Sequence, residues 1–153
     1  MSSDLRAVLP YLLPRAIAWA EAQAQQAAAW GRSLDDKEIA IASAVGVQRP
    51  ELIRVAVVDS LPLPEDFALR AAAVQTGLLG PGTVGLTLGY SVLVCRGHET
   101  LRLLSHEFRH VYQYEKFGSI AAFLPGYLTQ IVEFGYSNAP FEVDATAQEQ
   151  AGT

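Results

Sequence analysis

Hydrophobic and polar positions along this chain switch several times between a helical period of three to four residues and the apolar, β-branched runs of buried strands. The predicted helices cover residues 14–30, 34–45, 66–74, 99–117, 119–133 and 141–148, and the predicted strands cover residues 53–58, 84–88 and 91–95. Only Gly89 and Tyr90 separate the last two strands, which predicts a hairpin or one long bent strand. Three strands among six helices predict an α+β fold with a small mixed sheet.

The first two predicted helices have boundaries that can be read from single residues. Pro14 suits a first helical turn, the segment after it is rich in alanine, and Gly31 ends the helical pattern. Ser33 and Asp36 have the arrangement of a variant capping box, which predicts that they cap the second helix.

Composition limits the classes of partner and of location. The chain has 153 residues, of which 50% are apolar and 18% charged, enough for one domain with a sizeable core. A net charge of −5 without a basic run argues against a nucleic acid or an anionic membrane as partner. Asp4, Pro10 and Pro14 spoil the pattern of a signal peptide, and no segment is long enough to span a bilayer. The single cysteine, Cys95, excludes an internal disulfide, so we expect a cytoplasmic protein.

The segment SHEFRHVYQY places two of the three histidines of the chain four positions apart around a glutamate. On a helix, His106 and His110 lie on one face a turn apart, so both can bind the same ion, and this geometry suits zinc. Glu107 lies beside them, where a carboxylate can take a proton from a metal-bound water. A separate apolar stripe of the same helix is predicted to face the core: Leu101, Leu104, Phe108 and Val111.

A catalytic zinc usually takes three protein ligands and keeps a fourth position for water, so a third ligand is required. Glu142 is the favoured candidate because it lies near the start of a later helix, and one intervening helix is enough to return its carboxylate to the histidines. Five other residues are possible third ligands but have a less favourable sequence context: Asp144, Glu133, Glu115, His98 and Cys95. Asp144 is the first alternative to Glu142.

HEFRH followed by a glutamate on a later helix resembles the gluzincin class of zinc metallopeptidases, whose ligands are two histidines and a glutamate. The segments GLTLGYSVLV, SHEFRHVYQYEKFG and GYSNAPFEVDA also resemble a group of small, largely uncharacterised bacterial zincin-like proteins. That group has an H-E-x-x-H-x-x-Q helix and a later N-x-P-x-E-x-x-A element. The resemblance covers roughly residues 83–147, and its motifs together are far more specific than H-E-x-x-H alone.

The resemblance implies a role for each residue of the motif. It makes His106, His110 and Glu142 the zinc ligands and Glu107 the general base that activates a metal-bound water. It implies a zincin-like fold in which an edge strand packs against the motif helix. It also implies that the strand at residues 91–95 is this edge strand and holds an extended substrate by main-chain pairing.

The same resemblance suggests a division of the chain. We expect a single domain over residues 1–153, in which residues 51–150 form a minimal zincin-like core. Residues 1–50 are expected to form a helical N-terminal part that matches no known part of a peptidase.

These patterns predict a zinc-dependent hydrolase, a metallopeptidase of gluzincin type acting on a peptide or protein substrate. Two alternatives stay open: a zincin-fold module that binds zinc and a peptide or protein partner without turnover, and a structural protein whose motif holds no metal. An intact Glu107 favours the enzyme, since a binding module has no need of a base there. Gln113 can support His110 from one turn away, and Tyr90 or Tyr136 can donate a hydrogen bond to an oxyanion.

Overall fold

The computed structural model describes residues 2–151, and the side chains of residues 5–151. Its described residues form six α-helices and three strands, in an α+β arrangement that confirms the predicted class. The elements in chain order are α1 (Ser2–Trp30), α2 (Asp36–Ala44), β1 (Arg54–Val58), α3 (Phe67–Gln75), β2 (Gly85–Leu88), β3 (Ser91–Cys95), α4 (Leu101–Phe117), α5 (Ile120–Phe134) and α6 (Pro140–Ala147). A short 3-10 turn, Pro50–Leu52, precedes β1.

The sheet has the strand order β1-β3-β2, with β3 parallel to β1 and antiparallel to β2. Strands β2 and β3 form the predicted hairpin, and Gly89 in its turn adopts a positive φ of 67°, which glycine tolerates without strain. The prediction that β3 is the edge strand is wrong. All five residues of β3 are buried, as expected of a central strand with a neighbour on each side, and the edge strand that contacts α4 is β2.

Side chains of the strands alternate between two faces of the sheet, and helices cover both faces. The face that carries Ala56, Leu88 and Leu93 packs against α1, and buried residues of α5 belong to the same core cluster. The opposite face, with Val55, Val92 and Val94, packs against α2 and the apolar stripe of α4. The predicted stripe is confirmed, because Leu104, Phe108 and Val111 are buried and Leu101 packs beside them. One face of α4 therefore packs in the core, and the face that carries His106 and His110 is turned toward other elements.

Helix α1 is longer than the sequence pattern indicates. It begins at Ser2 and not at the predicted Pro14, and it contains Pro10 and Pro14. The two prolines lie four residues apart on the exposed side, so the carbonyl groups that lose their N–H partners lie toward water. Its buried face consists of Leu12, Ala16, Ala20 and Ala27. Neither α1 nor any other described helix is long and apolar enough to cross a membrane.

Helix α2 is capped by residues other than the predicted pair. Asp35, not Ser33, is the N-cap, and it forms a capping box with Glu38 in place of Asp36. The Asp35 side chain accepts from the amide of Glu38 at 2.8 Å, and the amide of Asp35 donates to Glu38 Oε1 at 3.0 Å. Arg32 donates to both oxygens of Glu38, at 2.8 and 2.9 Å, and this contact favours the later start.

The helices around the motif have clear local boundaries. Thr100 caps α4 by accepting from the amide of Leu103 at 3.1 Å, and Gly118 ends it at a left-handed φ of 96°. Ser119 then caps α5, and Pro140 occupies the first turn of α6, a position that needs no amide donor. These ends agree with the predictions to within two residues.

Candidate metal centre

Two local features and one long-range contact build the site. His106 and His110 lie one turn apart on α4, as predicted, and both are buried. Helix α5 then reverses the chain, so that the first turn of α6 brings Glu142 back against the histidines. Gln130 on α5 fixes the start of α6, because its Oε1 accepts from the amide of Phe141 at 2.9 Å.

The structure brings the three predicted ligands together. Glu142 Oε1 lies 3.0 Å from His106 Nε2, and Glu142 Oε2 lies 3.0 Å from His110 Nε2. One ligand atom from each residue lies within 4.8 Å of the other two, close enough to hold one metal ion. All three side chains are buried, with Glu142 only 3% exposed.

The outer ring nitrogens of the histidines are held by acceptors. His106 Nδ1 lies 2.8 Å from Glu149 Oε2, and His110 Nδ1 lies 2.8 Å from Gln113 Oε1. Because neither oxygen carries a hydrogen, each Nδ1 must be the donor, which leaves Nε2 of a neutral ring with a lone pair toward Glu142. With neutral rings, the two Nε2 atoms and the two Glu142 oxygens are four converging acceptors, and protons on the rings or a cation between them relieve their repulsion. Two imidazoles and a carboxylate with fixed ring orientations fit a divalent metal ion such as zinc.

Glu142 is ionised in this setting. Burial raises the pKa of the Glu142 carboxyl, but hydrogen bonds from the protonated rings of His106 and His110 outweigh burial and hold that pKa well below its usual range. Tyr127 on α5 adds a further hydrogen bond, donating to Glu142 Oε2 at 2.6 Å. The carboxylate is therefore a charged and oriented group, as a metal ligand must be.

Glu107 is buried beside the ligand group without belonging to it. Thr87 on β2 donates to Glu107 Oε1 at 2.7 Å, which ties the carboxylate to the edge strand. A Cβ at Gly85 would lie only 2.7 Å from Glu107 Oε2, so glycine at this position makes room for the carboxylate. Burial raises the pKa of Glu107, while the nearby His110 and His106 oppose that rise. A carboxyl with a raised pKa next to side chains that could hold a metal ion is a candidate general base.

An open cleft of about 530 Å³ leads to these groups. Residues of the glycine-rich loop 77–85 line this cleft, together with His106, Glu107 and Tyr136. Burial and the negative charges of Glu142 and Glu107 raise the pKa of Tyr136, so its hydroxyl stays protonated. The cleft has the size of a typical ligand site, roughly 300–1,000 Å³.

Asp144, the foremost substitute for Glu142, is engaged elsewhere. Arg109 donates to its two carboxylate oxygens at 2.8 and 3.1 Å, and Gln113 Nε2 donates to Oδ2 at 2.9 Å. Asp144 therefore supports the orientation of Gln113, and through it of His110, and does not face the histidines.

The remaining candidates of the sequence also lie outside the ligand group. The Glu115 carboxylate accepts from the amides of residues 48 and 49 and from the hydroxyl of Tyr90, which removes Tyr90 from the site as well. Glu133 and His98 are exposed, and Cys95 is buried at the end of β3.

Three contributing residues escape the sequence analysis: Tyr127, Glu149 and Thr87. Each meets the site through a contact between distant parts of the chain, and none belongs to a motif. Gln113 is different, because the sequence does suggest its role. It lies one turn after His110 on the same helix, and its hydrogen bond to His110 agrees with the predicted support for that histidine.

Comparisons with known proteins add no relative. No protein-family model matches this chain, no curated protein matches it, and no solved structure matches it. The gluzincin resemblance therefore stays a prediction, and the convergence of His106, His110 and Glu142 is the observation that bears on function.

Proposed function

We propose that this protein is a zinc-dependent metallopeptidase. The observation that carries the proposal is the convergence of His106, His110 and Glu142 beside Glu107, a buried carboxylate outside the ligand group. Structural zinc sites use four protein ligands, usually with cysteine among them, whereas catalytic sites use three and keep a position open. Two histidines and one glutamate next to a cleft match the catalytic pattern.

The metal and Glu107 have separate tasks in the proposed reaction. A zinc ion bound by the three ligands supplies Lewis-acid chemistry, which polarises a carbonyl group and lowers the pKa of water. Glu107 accepts a proton from the attacking water as the new carbon–oxygen bond forms, and it passes that proton to the leaving nitrogen as the carbon–nitrogen bond breaks. Thr87 holds the Glu107 carboxylate in place by its 2.7 Å hydrogen bond.

Tyr136 is suited to the charge that develops during this reaction. It lines the cleft beside Glu107, and its raised pKa keeps the hydroxyl protonated. A protonated hydroxyl can donate a hydrogen bond to the carbonyl oxygen as that oxygen gains negative charge. Tyr90, the other tyrosine considered from sequence, donates to Glu115 and has no such role.

Strand β2 favours a peptide as the substrate. It has one neighbour in the sheet, β3, and the register pairs Gly85 with Val94 and Thr87 with Val92. The amide of Cys95 bonds to the carbonyl of Val84, so by alternation the main-chain groups of Gly85 and Thr87 point away from β3. An extended peptide can pair with such an edge, and Gly85 places that edge next to Glu107.

Two glutamate substitutions test the proposal because they separate ligand from base. We expect about one zinc ion per chain in wild-type protein. Glu142→Gln replaces a charged ligand by a neutral amide and should lower zinc content. Glu107→Gln should keep the zinc content near wild type and slow hydrolysis of a mixed peptide library by a factor on the order of a hundred or more.

Glu133→Gln is the matched control, since Glu133 is an exposed glutamate on the neighbouring helix α5. It should change neither zinc content nor hydrolysis. Loss of zinc from Glu107→Gln with zinc retained by Glu142→Gln would show that the ligand assignment is wrong. Wild-type protein with full zinc and no hydrolysis of any peptide would favour the binding module over the enzyme.

A further inference from the structure

A second cavity lies between α1, α3, α5 and β2. Its volume is about 110 Å³. Most of its wall is apolar, and representative lining residues are Leu12, Leu69, Leu88, Phe123, Leu124 and Ile131. All six belong to the hydrophobic core cluster on this side of the sheet.

The cavity adjoins the candidate metal centre. Glu107, His110 and Glu142 are among its lining residues. Leu79, Gly85, Glu107 and Tyr136 line both the cavity and the cleft, so the two spaces adjoin at the proposed base. A group that enters the cavity from a substrate in the cleft therefore passes next to the reacting atoms.

Small residues create the space. Ala16 and Ala20 lie four residues apart on the buried face of α1, and Ala73 faces the same cavity from α3. Larger aliphatic side chains at these positions would fill the space that three methyl groups leave open. The small buried residues of α1 therefore form part of the cavity wall.

Size and polarity limit the occupant. A cavity lined by leucine, isoleucine and phenylalanine stays dry, and one of roughly 150 Å³ accepts a benzene-sized group. At about 110 Å³, this cavity accepts a branched aliphatic group of about four carbons and is too small for a phenylalanine or tryptophan side chain.

We propose that the cavity is a specificity pocket for one leucine-like side chain of the substrate, adjacent to the bond that is cleaved. The proposal rests on the proposed peptidase function. It assigns the substrate class, peptides with a leucine or isoleucine at the residue next to the cleavage site, and it assigns α1 the role of forming the pocket wall.

A binding experiment tests the pocket without a metal and without turnover. The probe is 4-methylpentanamide, which carries a branched aliphatic end and an amide, and acetamide is the comparison. The readout is the methyl NMR signals of Leu12, Leu69 and Ile131. We expect 4-methylpentanamide to shift these signals and to bind at least about tenfold more tightly than acetamide, since each buried methylene contributes about tenfold or more.

Two variants test whether the probe binds in the cavity. Ala16→Leu should fill the pocket from α1 and abolish the shifts, and Ala73→Leu should do the same from α3, which guards against one variant failing to fold. The control is Ala18→Leu, an identical change on the exposed side of α1, which should bind the probe like wild type.

Failure of the pocket is distinguishable from failure of the enzyme. Absence of shifts with 4-methylpentanamide, or binding that persists in folded Ala16→Leu and Ala73→Leu proteins, overturns the pocket and leaves the zinc and Glu107 tests untouched. Hydrolysis of a peptide library without preference for leucine or isoleucine beside the cleaved bond also overturns it, although the peptidase stands.

Discussion

Gln113 provides the sharpest test of how the protein prepares the candidate metal centre. Its Oε1 accepts from His110 Nδ1 at 2.8 Å, while its Nε2 donates to the carbonyl of Phe141 at 3.0 Å and to Asp144 Oδ2 at 2.9 Å. One buried side chain thus orients a ligand on α4 and joins it to α6, which carries Glu142. Gln113→Met keeps the length of the side chain and removes all three hydrogen bonds.

Two general magnitudes apply to this substitution. Loss of a hydrogen-bond partner for a buried polar group, here Nδ1 of His110, costs about 1–3 kcal/mol in free energy of unfolding. Removal of a partner that orients a metal-binding histidine typically weakens metal affinity about 10- to 100-fold. We therefore expect Gln113→Met to fold, to unfold at lower denaturant concentration, and to bind zinc about 10- to 100-fold more weakly than wild type.

Gln130→Met is the matched control. The side-chain oxygen of Gln130 accepts from the main-chain amide of Phe141, and Gln130 forms no hydrogen bond with a histidine. The control should lose a similar amount of stability and keep its zinc affinity within about threefold, which sets the background for an effect of stability alone. Zinc affinity is measured by titration against a competing chelator, and stability by denaturant unfolding of the same samples.

One result would refute the reasoning about Gln113. If folded Gln113→Met binds zinc as tightly as wild type, the hydrogen bond to His110 does not prepare the ligand. Equal weakening in Gln130→Met and Gln113→Met would assign the effect to the position of α6 and not to the orientation of the ring.

Three further predictions address other parts of the site. Gly85→Ala should push the Glu107 carboxylate away, since the new Cβ would lie 2.7 Å from Oε2; we expect about 1–3 kcal/mol lower stability, retained zinc and slower peptide hydrolysis. Gly82→Ala, with no atom within 4 Å of the new Cβ, is its control, and equal hydrolysis by the two variants contradicts the steric account. His106→Ala should lose zinc and keep the fold in circular dichroism, because the core does not depend on the metal; outright unfolding would recast the zinc as structural. Zinc affinity should rise with pH up to about 9. Burial lowers the pKa of His106, but its hydrogen bond to Glu142 and the charge of Glu107 raise that pKa to about 9. Below this pH, His106 is protonated and zinc must displace a proton to bind. A chelator titration between about pH 6 and pH 8 with no change in affinity contradicts this assignment.

Features set by neighbouring residues could be predicted from the sequence. The spacing of His106 and His110 places both imidazoles on one face of any α-helix, and the apolar stripe of α4 predicts which side of the helix is buried. The end of α4 at Gly118 follows from the same short-range geometry. These predictions hold because helix period and capping depend on residues within about one turn of each other.

Features that depend on contacts between distant segments were decided by the tertiary structure. The sequence admitted several third ligands, and only the packing of α5 and α6 on α4 brought Glu142 to the histidines while Arg109 drew Asp144 away. The position of β3 in the sheet was also decided by a long-range contact. It is the central strand because β1 pairs with the edge that β2 leaves free. Tyr127 and Glu149 reach the site from other segments, and no local pattern encodes such approaches. The free energy that selects them comes from burial of apolar surface and from pairing of buried polar groups across the whole domain, which a linear pattern of residues does not contain.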